Sequence, residues 1–211
     1  MSRILLACSL LLLMVITTAW SLKPPAEPPT PPTVPHVTFD LPMRIQPLLS
    51  GNFGELRSNH FHSGIDFKTQ QKTGIPVYAP ADGWISRLRI GAYGFGYALY
   101  LDHPSGHTTV YGHLDRFASP IDSLATAQQY ARESFELDTL YPPRRFPVKR
   151  GQLIAYSGNS GSSGGPHLHV EIRDAATQDI LDPLIWYGDK LPDSRAPRIQ
   201  SITLFAQGAD G

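Results

Sequence analysis

The sequence predicts a mainly β domain, antiparallel in its sheet, with a short helical insertion. Three observations predict it. The apolar runs are short (Pro76–Ala79, Gly83–Ile90, Tyr97–Leu101, Thr108–Tyr111, Leu153–Ser157 and Leu168–Ile172) and are punctuated by Gly, Pro and Asp, as strands are. Turn signals join such runs. Asp102–Gly106 (DHPSG) links two of them like a hairpin loop, and Arg150-Gly151 sits between Val148 and Leu153 as a turn would. One segment departs from the pattern: Leu124–Leu137 (LATAQQYARESFEL) contains no Gly or Pro and is rich in Ala, Gln, Glu and Leu, which predicts a helix inserted between two strands.

In chain order, Arg3 is followed by an apolar run from Ile4 to about Ala19 and by small residues at Thr17-x-Ala19 and Ala19-x-Ser21. That layout is expected of a secretory signal peptide over residues 1–21. An uncleaved anchor is the alternative, the run being at the short edge of the roughly 17–25 residues a spanning helix needs. Leu5-Leu6-Ala7-Cys8 resembles a lipoprotein box, but most of the apolar run follows the cysteine, which is the wrong order. Residues 22–38 include KPPAEPPTPPTV, a proline-rich linker that favours extended polyproline backbone and buries nothing. Residues 39–188, about 150, suffice for one domain with its own core. Residues 189–211 form an extension whose run Ile199–Phe205 either docks on the domain or opens a further β domain, because a lone strand has no partner of its own.

Composition excludes several classes of function. Lys and Arg total 18 against 18 Asp and Glu, so there is no basic field for nucleic acid and no polybasic surface for anionic membranes. Cys8 is the single cysteine and falls in the leader. The mature domain thus has neither disulfides nor thiolate metal ligands, and any metal must be held by histidine and carboxylate.

Histidines and one aspartate recur in three segments: His62-Ser-Gly-Ile-Asp66, Tyr111-Gly112-His113 and His167-Leu168-His169. On a strand, His167 and His169 share one face while Leu168 and Val170 take the other, so two imidazoles can point into one cleft, and Glu171 continues their face, where it can orient a ligand. His62 and Asp66 are four apart, yet Gly64 between them and apolar Ile65 and Phe67 beside them predict a loop entering a strand. His62, Asp66 and His169 can supply nitrogen and oxygen ligands to zinc and leave a fourth position open, as catalytic zinc sites do. His60 offers a second imidazole two residues from His62, but only His62 has the four-residue spacing to Asp66. His36, His103 and His107 read as solvated linker or turn residues.

The order of motifs resembles the M23 metallopeptidases of the lysostaphin/LytM type, over about His62–Pro183. The similarity rests on His62-Ser-Gly-Ile-Asp66, Gly74-Ile-Pro-Val-Tyr-Ala79, Ala81-Asp82-Gly83, Tyr111-Gly112-His113-Leu114, Val148-Lys-Arg-Gly151-Gln152, Gly158-Asn-Ser-Gly161 and Gly165-Pro-His167-Leu-His169-Val-Glu171. The resemblance implies a lysostaphin-type antiparallel sheet, Zn2+ held by His62, Asp66 and His169, and catalytic roles for His113 and His167. It implies an exported endopeptidase acting on peptide cross-links of bacterial peptidoglycan, either at a D-Ala to diamino-acid bond or at a glycine bridge. Related modules lacking these residues act instead as cell-wall-binding or hydrolase-activating proteins, which is the alternative reading. Two features depart from the family. The tyrosine that often precedes the first ligand is absent from 51–61, where Phe53 and Phe61 stand, and residues 119–147 lengthen the connection after His113. Both anchors of that insertion belong to elements placed beside the metal, so it is expected to border the substrate groove. The Gly158–Gly165 loop (GNSGSSGG), which lacks large side chains, is expected to let an extended peptide approach.

Overall fold

Alternation of side chains on a strand sends successive residues to opposite faces, and here both faces are used. The computed structural model describes residues 37–58 and 60–192, with positions 199 and 202. The expected signal peptide, most of the proline-rich linker and nearly all of the 199–205 run lie outside these residues. The strands are β1 (Leu49–Gly51), β2 (Ile65–Lys68), β3 (Pro76–Tyr78), β4 (Gly83–Ile90), β5 (Tyr97–Asp102), β6 (His107–Phe117), β7 (Leu137–Leu140), β8 (Pro147–Val148), β9 (Leu153–Ser157), β10 (His167–Asp174) and β11 (Ile180–Leu181). Helix α1 (Ile121–Arg132) precedes β7, and α2 (Leu184–Tyr187) runs into a 3-10 turn at Gly188–Lys190. Every strand pairing among the described residues is antiparallel, and the main sheet runs β1-β2-β10-β6-β5-β4-β7, as the sequence led us to expect of a mainly β fold. Among the described residues no helix is long and apolar enough to cross a membrane.

Register assigns each face its chemistry. Ile65 pairs with Val170, Val170 with Tyr111, Tyr111 with Leu99 and Leu99 with Leu88. All five are fully buried, so one face of the sheet is core, closed further by Phe39, Phe67, Trp186 and Tyr187. One residue along, Asp66 pairs with His169 and His169 with Gly112, while Ala98 pairs with Arg89 and Arg89 with Asp138. That row lies on the opposite face. A slip of one residue would exchange the two rows, so burial of the apolar row holds the polar one in place.

The insertion is half helix and half strand. Helix α1 begins three residues before the predicted start, just after Pro120, with Asp122 in its first turn and Arg132 in its last, both favourable to the helix dipole. It ends five residues before the predicted end. Glu133 turns left-handed (φ 49°), its N–H reaching the Gln129 and Tyr130 carbonyls, and the chain leaves to form β7. Composition alone favours continuing the helix. The competing gain is the pairing of Leu137–Leu140 with Ile90–Arg87 and burial of Leu137 to 1% exposure, which one more helical turn would forfeit.

Candidate metal centre

Gly64 decides how His62 reaches the sheet. A Cβ there would collide with the carbonyl oxygen of Val170, so only glycine lets the loop from His62 to Asp66 lie against β10. Asp66 then faces His169 across the β2–β10 ladder. Three donor atoms converge: His62 Nε2 stands 3.1 Å from Asp66 Oδ1, His169 Nδ1 stands 2.9 Å from the same oxygen, and the two ring nitrogens are 3.1 Å apart. All three side chains are buried, and this is the group of potential metal ligands found among the described residues.

The far nitrogen of each ring is held by an acceptor. His62 Nδ1 donates to the Asn52 carbonyl at 2.7 Å, and His169 Nε2 donates to Glu171 Oε1 at 3.2 Å. An oxygen of either kind only accepts, so these contacts put each ring's N–H on the far side and its lone pair toward Asp66. Two lone pairs and a carboxylate oxygen at such spacing repel unless a cation or proton lies among them. Ligands of a tetrahedral zinc at about 2.0–2.1 Å stand roughly 3.3 Å apart, so the donor set and its spacing fit that ion.

Charge around the donors is compensated on every side. Burial works against ionisation of Asp66, but hydrogen bonds and charge from His169 and His62 outweigh it and hold its pKa well below the usual carboxylate range. Its other oxygen, Oδ2, accepts from Arg57 Nη2 at 3.0 Å. Burial alone would lower the His169 pKa, yet the Asp66 and Glu171 carboxylates on either side of the ring favour positive charge there and raise it overall. Glu171 is also pushed up by burial and pulled further down by His169 and the charge of Arg173. Ser63 Oγ donates to it, and so does Arg173 Nε at 2.7 Å.

His113 and His167 stand beside the donor group, their rings 4.7 Å apart. His113 lies within β6, where the strand passes from pairing with β10 to pairing with β9. There it takes a left-handed conformation (φ 56°), which is uncommon for a residue with a Cβ and is the kind of strain found at functional sites. Its backbone N–H donates to Phe95 O at 2.8 Å and its Nδ1 to Ser160 O at 2.9 Å, leaving Nε2 as the basic nitrogen. Burial, together with nearby imidazoles, pushes its pKa down to about 4, so the ring is neutral near pH 7. His167 Nδ1 donates to Gly165 O at 2.8 Å, and its Nε2 lies 3.5 Å from Asp66 Oδ1.

All five side chains line one open cleft of about 400 Å³. Three other lining residues escaped sequence reasoning. Arg57 holds Asp66 from the segment lacking the tyrosine, Phe95 stacks on the His169 ring at 5.1 Å, and Arg89 reaches the cleft from β4. None belongs to a motif with diagnostic spacing. Only the sheet register brings Arg89 to this face. Ser162, Ser163 and Gly164 line the cleft as expected of the glycine-rich loop, but Gly161 has a second task. It packs against the backbone of Gly94 and Gly96 with φ 69°, so it also joins two loops. His103 and His107, expected to be solvated, are buried. His103 bridges the Asp82 carbonyl (2.9 Å) and Thr109 Oγ1 (2.8 Å), and both rings pack on Phe39. His36 lies outside the described residues.

The antiparallel sheet thus gathers two histidines and a carboxylate in one cleft, with two further imidazoles beside them. The chain matches the family model of peptidase family M23 over residues 60–132. It is 39% identical over 112 residues to an uncharacterized metalloprotease of Haemophilus influenzae, covering 53% of this chain and 18% of that protein. To the peptidoglycan DD-endopeptidase ShyB of Vibrio cholerae it is 34% identical over 111 residues, covering 53% and 20%. A zinc-containing peptidase from Vibrio cholerae superposes with TM-score 0.50 at 27% identity, over 69% of this chain and 39% of that one. The chain thus spans about a fifth of the length of the curated relatives it matches.

Proposed function

We propose that this domain is an exported zinc endopeptidase that hydrolyses peptide cross-links of bacterial peptidoglycan. The observation that carries this reading is the convergence of His62, Asp66 and His169 on one point, with His113 and His167 beside them and outside the donor triangle. The similarity to ShyB favours peptidoglycan peptides as substrate, and the leader-like N-terminus favours export to the periplasm or cell surface.

His62 Nε2, Asp66 Oδ1 and His169 Nδ1 would hold the zinc. When bound, zinc supplies a Lewis acid that lowers the pKa of a water to about 7 and polarises a carbonyl. The protein's own groups do the rest. Glu171 and the Asn52 carbonyl keep both ligand imidazoles in one tautomer, and Arg57 keeps Asp66 turned by its second oxygen. His113 Nε2, uncharged near neutral pH, and His167 Nε2 can accept a proton from the attacking water, return one to the leaving amine or, protonated, hydrogen-bond the developing oxyanion. The open cleft admits an extended chain along its serine- and glycine-lined rim.

Elemental analysis of the purified chain, paired with soluble-fragment release from isolated sacculi, tests this reading. About one zinc per chain and chelator-sensitive release are expected. His167→Ala should retain the zinc and lose roughly 10²–10⁴ of the rate. Release by a zinc-free chain, or loss of metal in proportion to activity in His167→Ala, would overturn it.

A further inference from the structure

A second depression of about 410 Å³ adjoins the metal cleft and shares Arg89 with it. It is lined from β4 and the following loop by Arg89 and Tyr93, and from the insertion by Arg132, Glu136, Leu137 and Asp138. Its charges do not cancel. Asp138 is the cross-strand neighbour of Arg89, yet both of its oxygens are taken by Arg87 in a forked pair at 2.7 and 2.6 Å. Arg89 is left half-buried with no hydrogen bond or ion pair among the described residues, and the exposed Arg132 likewise has none. Against these two cations stands one exposed carboxylate, that of Glu136. A half-buried guanidinium with five free donors, at the junction of two connected hollows, is a ready carboxylate binder.

We propose that Arg89, assisted by Arg132 of the insertion, binds a free carboxylate of the peptide whose cross-link lies at the metal centre. The distance suits this. Arg89 sits on the same sheet face as His169, three strand-to-strand steps away along β10, β6, β5 and β4. At about 4.8 Å per step that is roughly 14 Å, the span of about four residues of extended chain. A peptide lying across the strands from the donor group would therefore bring a group a few residues from the scissile bond over Arg89. The insertion thereby takes part in choosing which stems are accepted, through residues at the end of α1 and the start of β7.

The proposal rests on the peptidoglycan reading only in taking a stem peptide as the ligand, and its test needs no turnover. The probe is a cross-linked stem-peptide dimer with the central amide N-methylated to prevent cleavage, in a form with free carboxylates and a form with those carboxylates amidated. Binding to the full zinc-loaded chain is followed by titration calorimetry. The acid form should bind about 10- to 100-fold more tightly than the amide, as expected for a charge-assisted pair in a partly buried site. Arg89→Gln should bring the two within about twofold, Arg89→Lys should restore part of the gap, and Arg132→Gln should narrow it. Equal binding of acid and amide by the unsubstituted chain, or a gap that survives in Arg89→Gln, would overturn the proposal. Either result stands apart from the endopeptidase reading, which is decided by cleavage of the unmethylated dimer.

Discussion

Asp66 commits both carboxylate oxygens, Oδ1 to His62 and His169 and Oδ2 to Arg57, and this division ties single residues to measurable consequences. His169→Ala removes a donor nitrogen and should cost most of the bound zinc, whereas Leu168→Met, on the core face, should leave it bound. Full zinc occupancy of His169→Ala in elemental analysis would refute the donor assignment. Removing a group that only orients a ligand should act more gently. Arg57→Ala and Glu171→Gln are each expected to weaken zinc about 10- to 100-fold in competition with a chromogenic chelator, and unchanged affinity in both would show that neither carboxylate contact matters. At this scale the sequence was legible where chemistry imposes spacing. His-x-His on a strand and His-x-x-x-Asp across a glycine announce themselves. Arg57 and Phe95 do not, because their roles arise from contacts that no local spacing encodes. Nor did the surroundings of His103 and His107 show in their turn-like context, since their burial depends on Phe39 and Trp186 from distant parts of the chain.

Among the elements, the strands were the more readable and the insertion the less. Each of the six apolar runs overlaps an observed strand, because alternation and turn residues are local signals. The helix boundaries shifted because the tertiary pairing of β7 with β4 outweighs helical preference in 133–137, and no window of sequence contains β4 and β7 together. Two leucines on β7 differ in burial accordingly. Leu137 is 1% exposed and Leu140 is 75% exposed. Leu137→Ala should lower unfolding stability by about 2–5 kcal/mol in urea titrations, while Leu140→Ala should change it by no more than about 0.5 kcal/mol. Comparable losses at the two positions would mean that β7 is not held by burial of its inward face. Replacing 119–147 by a short link should also bare the edge of β4, so concentration-dependent association is expected alongside any change in cleavage preference.

At the level of the whole domain, stability should respond to acid through its buried imidazoles. His103 lies on the core side, away from the donor group, and burial holds its pKa below the ordinary value, against the opposing effect of its hydrogen bond to the Asp82 carbonyl. A group of this kind takes up its proton more readily in the unfolded chain. Its contribution is therefore complete above the ordinary imidazole pKa of about 6.5 and declines as pH falls below it. The unsubstituted chain should lose more stability between pH 7.5 and 5.5 than His103→Gln does, and equal losses in thermal melts would contradict this. All of these features serve one claim, that the cleft holds a metal-dependent endopeptidase centre. Mass spectrometry of a defined cross-linked muropeptide dimer, incubated with the purified chain with and without chelator and after zinc is restored, tests that claim most directly. The expected result is conversion to two monomers that together carry the mass of one added water, abolished by chelator and recovered with zinc. An intact dimer in the presence of the folded, zinc-loaded chain, or cleavage indifferent to chelator, would contradict it.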